Sequence, residues 1–208
     1  MESTMISASH ITIQRNGVDI ITDFSIVIAP GHITALIGPN GSGKSTLLAA
    51  LAGDLAITHG EIHCDARTID TYSIEELSRL RSLSPQSQRF TMSFTVGDVL
   101  RMACTNSGDF SSIKKAVLAL DIERLQHRKV TSLSGGEQQR VSIAMAIAQS
   151  ASYLFLDEPF AAQDLESASR IKSYLRVVAE NGIGIIVVAH VEEETLGWCD
   201  SVVRLPSR

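Results

Sequence analysis

Short apolar runs alternate with helical stretches along this chain. Residues 32–37, 153–156 and 184–189 are mainly apolar, which is the pattern of strands buried on both faces of a parallel sheet. Residues 9–14 and 24–29 instead alternate apolar and polar side chains, which predicts two early strands that pair in an antiparallel manner. Strands of both kinds among helices predict an α/β fold with an antiparallel β portion.

Helical patterns fill the segments between these strands. A helix is predicted over residues 44–52, directly after the strand at 32–37. The spacing of Ser73 and Glu76 predicts a capping box that opens a further helix ending near Leu80. Residues 137–149 are rich in helix formers. Apolar side chains then recur at helical spacing at Leu165, Ala168, Ile171, Leu175 and Val178.

The middle of the chain is predicted to be an inserted helical lobe. Two helical patterns, at residues 96–103 and 112–120, are separated by the polar stretch 105–109. Neither repeats nor linkers interrupt the pattern, so one domain is expected for a chain of this length. The predicted parts are a single domain at residues 1–208, its core at 1–86 and 134–208, and the lobe at about 87–133.

Composition and charge narrow the functional classes. The chain has 208 residues, 44% of them hydrophobic, and a net charge of −5; a normal core is expected, and a basic nucleic-acid-binding face is not. Its 3 cysteines are far apart, which favours a reducing compartment over a disulfide framework. Neither a secretory signal nor an apolar run long enough to cross a bilayer is expected. Transport across a membrane would need another chain to form the path.

Residues 38–45 read GPNGSGKS and fit G-x-x-x-x-G-K-[ST], the phosphate-binding loop (P-loop). Its glycines let backbone N–H groups point at phosphate oxygens, and the following helix turns its positive end to the same anion. Lys44 is predicted to reach the β- and γ-phosphates, and Ser45 to coordinate Mg²⁺. The residues predicted to hold ATP in this loop are Asn40, Gly41, Ser42, Gly43, Lys44, Ser45 and Thr46.

Two carboxylates, Asp157 and Glu158, follow the apolar strand at residues 153–156. Ligands of a parallel sheet gather at the carboxyl ends of its strands. Asp157 is therefore predicted to hold Mg²⁺ or its water, and Glu158 to align and deprotonate the attacking water. If the two carboxylates stood alone, a helix cap or a solvated turn would explain them. Because the same chain contains a P-loop, the catalytic interpretation is favoured.

Residues 133–140 read LSGGEQQR and resemble the signature motif of ATP-binding cassette (ABC) ATPases. The motif again suits phosphate: Ser134 supplies a hydroxyl, and Gly135 and Gly136 free two N–H groups where a helix begins. Ser134 and Glu137 also have capping-box spacing. The resemblance covers nearly the whole chain, with the family's motifs in the family's order, and implies the P-loop NTPase core of the ABC type.

The resemblance implies roles for three further residues. Gln86 matches the glutamine between core and lobe that serves Mg²⁺ and catalysis, Asp164 matches the D-loop aspartate, and His190 matches the switch histidine that senses the γ-phosphate. It also implies a head-to-tail dimer, in which each ATP lies between the P-loop of one copy and the signature motif of the other. Ser134 and Gly136 would then serve the partner's nucleotide.

The chain departs from the family pattern at two positions near the nucleotide. Relatives often place an aromatic residue before the P-loop to stack on adenine, whereas Arg15 is the candidate here, through its guanidinium plane. Gln163 stands in the D-loop where leucine is usual. Arg15 leaves open how the adenine base is stacked, and Gln163 leaves open how the D-loop packs across the dimer.

Residues 48–100 resemble the ATPases of haem and iron-siderophore importers, in LAGD at 51–54, GEI at 60–62 and FTV at 94–96. The Gly-Arg and Pro-His pairs that usually follow are missing. The resemblance implies a subunit on the cytoplasmic face of the cell membrane, held there by permease subunits, with a substrate-binding protein as a further partner. The alternatives are the ATPase of a drug or peptide exporter and a non-transport ABC protein.

Two further features stay open. The apolar side chains Phe90, Met92 and Phe94 suit contact with a helix of a membrane subunit and equally suit packing within the lobe. A metal site near residues 59–64 is a minor alternative, because its spacing is loose and no fourth ligand is evident. Its candidate ligands are His59, His63 and Cys64.

Overall fold

The computed structural model describes residues 5–86, 90–91, 93–104 and 110–206. The strands are β1 Ile6–Arg15, β2 Val18–Ile28, β3 Ile33–Ile37, β4 His59–Cys64, β5 Arg67–Thr68, β6 Arg81–Ser84, β7 Tyr153–Asp157, β8 Gly184–Val188 and β9 Ser201–Arg204. The α-helices are α1 Lys44–Leu51, α2 Ile74–Leu80, α3 Val96–Ala103, α4 Phe110–Ala119, α5 Gly135–Ala148 and α6 Leu165–Glu180. Short 3-10 segments lie at Ile69–Thr71, Glu123–Leu125, Val130–Ser132 and Glu193–Leu196.

A parallel sheet forms the centre of the fold, with strand order β6-β7-β8-β3-β9. Successive side chains of a strand point to opposite faces, and both faces of β7 are covered. Leu154 and Leu156 pack into a core with α3, α4, α5 and α6, whereas Tyr153 and Phe155 pack into a second core with α1 and the other sheet. This double burial explains the apolar runs that predict β3, β7 and β8.

The second sheet is antiparallel, with strand order β2-β1-β4-β5. β1 pairs with both β2 and β4. Ile11 and Ile13 of β1 are fully buried, while Ser9 and Gln14 are exposed. The alternating pattern of the sequence thus produces a sheet with one face on the core, as predicted.

The helices also agree with the sequence pattern. Ser73 caps α2 through a complete capping box with Glu76, and α3 has the predicted bounds. The predicted α/β fold with an antiparallel portion and a helical insertion is confirmed. The polar stretch 105–109 and Met92 lie outside the described residues. Phe90 packs against the core shared with α3–α6, and Phe94 is partly exposed.

The run at residues 60–64 predicts β4, but the sequence pattern does not predict β5, β6 or β9. β6 carries Ser82 and Ser84, both buried. The Ser84 hydroxyl forms a hydrogen bond with the Ser142 hydroxyl at 2.9 Å. This bond allows a polar residue to be buried, so the burial of β6 does not appear as an apolar run in the sequence. β9 is an edge strand beside β3, and β5 has only two residues.

The structure gives the metal alternative at residues 59–64 no support. Neighbouring side chains of a strand face opposite sides, so Cys64 is buried while His63 turns outward and contacts Glu61 at 2.8 Å. Within the described ranges, no three His, Cys, Asp or Glu side chains gather in a metal-binding group. Across the same ranges, no helix has both the length and the apolarity needed to cross a membrane.

Candidate functional site

A cavity of about 590 Å³ opens where the P-loop meets the carboxyl ends of β7 and β8. It gathers side chains and backbone from six separate segments of the chain. The lining residues are Arg15, Ile20, Asn40, Gly41, Gly43, Lys44, Ser45, Thr46, Gln86, Glu158 and His190. A parallel sheet binds ligands at this edge, so the cavity is the candidate site.

The P-loop is held in a conformation that depends on its glycines. Gly43 has φ 99°, and a Cβ there would lie 2.8 Å from Cγ2 of Ile20. Gly41 has φ 76°, and a Cβ there would meet nothing within 4 Å. The backbone at Gly41 is therefore bare and open, as close approach of a phosphate requires. Ile20, which sequence reasoning missed, is a lining residue recognisable only from the register of β2.

Lys44 lies at the start of α1 and is almost fully buried. Its Nζ donates to the carbonyl oxygens of Gly38 at 2.8 Å and Pro39 at 2.9 Å. Burial lowers the pKa of the Lys44 ammonium, while the carboxylates of Glu158 and Asp157 act in the opposite direction. The ammonium thus sits inside the loop beside two negative charges, within reach of an incoming anion.

Asp157 ends β7 as a buried carboxylate with one orphaned oxygen. Its Oδ1 has no hydrogen-bond partner among the described residues, and the Ser45 hydroxyl is near enough to favour the ionised carboxylate. Burial raises the pKa of Asp157, and Glu158 adds to the rise. The Ser45 hydroxyl and the Asp157 carboxylate, whose Oδ1 is unpaired, are oxygen ligands of the kind that Mg²⁺ prefers. These residues therefore fit the ion that the sequence predicts.

Glu158 and His190 meet at the mouth of the cavity. Glu158 Oε1 lies 2.6 Å from His190 Nε2, and both side chains are partly exposed. The neighbouring strands β7 and β8 bring them together, since the Glu158 N–H donates to the Val188 carbonyl at 3.1 Å. Glu158 has φ 51°, a conformation that costs a non-glycine residue about 1 kcal/mol or more. The Glu158 side chain lines the cavity together with the P-loop.

The signature motif lies outside this cavity. Ser134 caps α5, accepting from the Glu137 N–H at 3.3 Å, and Glu137 accepts from the Ser134 N–H at 2.8 Å. Asp164 caps α6 by accepting from the Ser167 N–H at 2.7 Å. Neither the 133–140 segment nor Asp164 contributes a described residue to the cavity lining. Most of the other predicted site residues line the cavity. Ser42 and Asp157 are buried beside it and do not line it.

Replacing Asp157 with asparagine is expected to stabilise the free protein. A folded-state pKa above the ordinary value means that ionised Asp157 lowers stability at neutral pH, and that this loss disappears as the pH falls below the unfolded value. Asp157→Asn should therefore raise the melting temperature at neutral pH by about 2–4 °C, the shift that 1 kcal/mol produces in a domain of this size. Thermal unfolding without nucleotide or Mg²⁺ measures it.

Asp98→Asn is the matched control for that measurement. The Thr95 hydroxyl, which hydrogen-bonds the Asp98 carboxylate, lowers the pKa of Asp98, so the substitution should lower the melting temperature at neutral pH. A fall in the melting temperature of Asp157→Asn, like that expected of the control, would contradict the role assigned to burial at Asp157.

The cavity and the loop define a nucleotide-binding P-loop protein, and comparison with known proteins identifies the family. The profile of the ABC transporter family matches residues 21–161. The hemin import ATP-binding protein HmuV of Bordetella parapertussis is 34% identical over 215 residues, with 96% of this chain and 82% of that one covered. HmuV of Hahella chejuensis is 36% identical over 212 residues, with 97% and 83% covered.

A solved structure of an ATP-binding subunit of an ABC transporter has the same fold, with a TM-score of 0.87 at 21% identity over 97% of this chain and 86% of that one. The chain belongs to the ABC transporter family. It is an ATP-binding subunit of that family and an ATP hydrolase.

Proposed function

We propose that this chain hydrolyses ATP to energise the import of haem through a membrane ABC transporter. The observation that carries the catalytic part is the Glu158–His190 pair, 2.6 Å apart at the mouth of the P-loop cavity. Relatives named as hemin import ATP-binding proteins, similar over most of this chain, support haem as the cargo over other iron chelates. Permease subunits, with a substrate-binding protein outside, would hold the chain at the cytoplasmic face of the membrane.

The P-loop binds the phosphates of ATP. Backbone N–H groups from Asn40 to Thr46 surround the phosphate oxygens, and the N-terminus of α1 adds its positive end. Lys44 leaves the Gly38 and Pro39 carbonyls, which it contacts in the free chain, and bonds the β- and γ-phosphates. Arg15, at the rim of the same cavity, lies against the base in place of an aromatic ring.

Ser45, Gln86 and Asp157 are the residues that would hold Mg²⁺. The unpaired Oδ1 of Asp157 and the nearby Ser45 hydroxyl support this assignment. When bound, Mg²⁺ would neutralise part of the negative charge of the phosphates. Gln86 reaches the site from the junction between the core at 1–86 and the lobe at about 87–133, which we propose are parts of one domain.

Glu158 is the general base in this proposal. Its carboxylate orients a water molecule in line with the γ-phosphate and accepts the proton that the water loses. His190 contacts the Glu158 carboxylate in the free chain and would also bond the γ-phosphate of bound ATP, so it would hold the base beside that phosphate. Neither residue needs to move far, because adjoining strands already hold the pair in contact.

A second copy of the chain completes each site. Ser134, Gly135 and Gly136 present a hydroxyl and free N–H groups, and Asp164 lies at the next helix start, yet none of these residues lines the cavity of its own chain. Leu165, directly after Asp164, is 92% exposed, as expected for a face that a partner covers. A head-to-tail dimer would set this face over the partner's ATP.

Lys44→Ala is expected to weaken ATP binding itself by about 10–100-fold. The loss corresponds to the charge-assisted hydrogen bonds that Nζ makes to phosphate. Titration of the purified monomer with a fluorescent ATP analogue measures it. Lys115→Ala, which removes an exposed lysine, is the control and should bind normally. Unchanged affinity in Lys44→Ala would contradict the P-loop assignment.

Purification from native membranes in mild detergent tests the transport role. A polytopic permease that copurifies, with ATPase activity in liposomes stimulated by haem and not by ferric siderophores, is the expected result. A permease without any response to haem would contradict haem import and favour another cargo or export. Recovery without a membrane partner would overturn transport and leave the ATPase assignment standing.

A further inference from the structure

Gln163, the D-loop residue that departs from the family pattern, makes hydrogen bonds with both ends of its side chain. Its Nε2 donates to the Gly136 carbonyl at 2.9 Å, and its Oε1 accepts from Arg140 Nη1 at 3.3 Å. The same guanidinium nitrogen donates to the Ser167 hydroxyl at 3.1 Å. We call this set of contacts the Gln163 bridge. It ties the first turns of α5 and α6 together, and the leucine usual at this position would make none of the contacts of Gln163.

The backbone under the Gln163 bridge leaves little room for movement. A Cβ at Gly136 would lie 2.6 Å from the Ala162 carbonyl oxygen, so the signature turn and the D-loop are in direct backbone contact. The guanidinium of Arg140 is partly enclosed, and its Nε has no partner among the described residues. Loss of Gln163 would remove one hydrogen bond from Arg140 Nη1. A partly buried guanidinium that already has one unpaired nitrogen is destabilised when it loses a further hydrogen bond.

The loop that carries Gln163 begins at Glu158. Two backbone hydrogen bonds brace it, from the Ala161 N–H to the Glu158 carbonyl at 3.1 Å and from the Gln163 N–H to the Phe160 carbonyl at 3.2 Å. Glu158 and Ala162 both have positive φ, 51° and 60°, so the loop has few alternative shapes at similar energy. Glu158 and Gln163 therefore lie in one braced loop, through which a shift of Glu158 would be passed to Gln163.

We propose that Gln163 is a positioning residue, which makes the signature turn at Ser134–Gly136 move with the loop that holds Glu158. This inference rests on the proposed function, in which that turn serves the partner's ATP. The state of the Glu158–His190 pair in one copy would thus set the position of the groups that complete the other site. ATP binding by a monomer does not use the bridge, since neither Gln163 nor Arg140 lines the cavity.

Gln163→Met tests this proposal, because methionine keeps the length of the side chain and removes both hydrogen bonds. We expect kcat of the assembled dimer to fall about tenfold, because the signature turn would no longer be held where it serves the partner's ATP. ATP affinity of the monomer should stay at the wild-type value, and the Hill coefficient for ATP should fall towards one. Gln149→Met, at the far end of α5, should change none of these.

Two results would overturn the proposal, and a third separates it from the proposed function. Wild-type kcat and Hill coefficient in Gln163→Met would remove the positioning role. A lower melting temperature with an equal loss of monomer ATP affinity would show a merely structural residue. If Ser134→Arg also turns over at the wild-type rate, the site shared between copies fails and takes this inference with it; if Ser134→Arg is inactive, only the role of Gln163 is in question.

Discussion

Glu158→Gln is expected to hydrolyse ATP about 10²–10⁴-fold more slowly than the wild type, the usual contribution of a general base. Glutamine has the shape of glutamate but cannot accept the proton of the attacking water. ATP binding should be retained, because Lys44 and the P-loop remain, and the removal of one negative charge beside the phosphates favours the bound state. Phosphate release and ATP titration measure the two effects.

The same variant should accumulate as an ATP-bound dimer. When hydrolysis is blocked, the ATP that joins the two copies persists, so size-exclusion chromatography with ATP and Mg²⁺ should show a species of twice the mass. Glu194→Gln, which changes an exposed carboxylate close to His190 in the sequence, is the control and should behave like the wild type. Turnover at the wild-type rate in Glu158→Gln would exclude Glu158 as the base.

Ser134→Arg should abolish turnover by the assembled protein while leaving monomer ATP affinity within about twofold of the wild type. Ser134 lies outside the cavity of its own chain, so the substitution leaves the P-loop intact. In the proposed dimer the arginine side chain would instead enter the partner's phosphate site and displace the hydroxyl. Turnover by the dimer and ATP titration of the dilute monomer separate the two effects.

Ser173→Arg, in the middle of α6 and exposed, adds the same side chain away from both sites and is the matched control. Loss of ATP binding by the Ser134→Arg monomer, equal to its loss of turnover, would show that the signature motif acts within its own chain. The head-to-tail arrangement would then be wrong, although the P-loop assignment would stand.

The sequence predicts those strands and helices whose burial or capping requires a particular pattern of residues. β7 and β8 are covered on both faces, so residues 153–156 and 184–188 lack charged side chains. The spacing of Ser73 and Glu76 predicts the capping box that begins α2. β6 gave no such signal, because Ser84 enters the core through a hydrogen bond to Ser142. Burial of a satisfied hydroxyl cannot be read from hydropathy.

The candidate site divides in the same way. Its P-loop could be predicted because phosphate binding demands glycines and a lysine at fixed spacing over eight residues. The contact between Glu158 and His190 depends on the pairing of β7 with β8, which a sequence gives only through resemblance. Gln163 was visible in the sequence as an exception to a family pattern, but its bonds to Gly136 and Arg140 follow from the packing of two helix starts.

Mixing Lys44→Ala with Ser134→Arg tests the shared site most directly. Each variant alone should be inactive. In a mixed dimer, however, the intact P-loop of the Ser134→Arg copy faces the intact signature motif of the Lys44→Ala copy. Single-turnover hydrolysis by the mixture should then recover, up to about a quarter of the wild-type level if the copies pair at random. A mixture that stays as inactive as its components would contradict a site built from two chains.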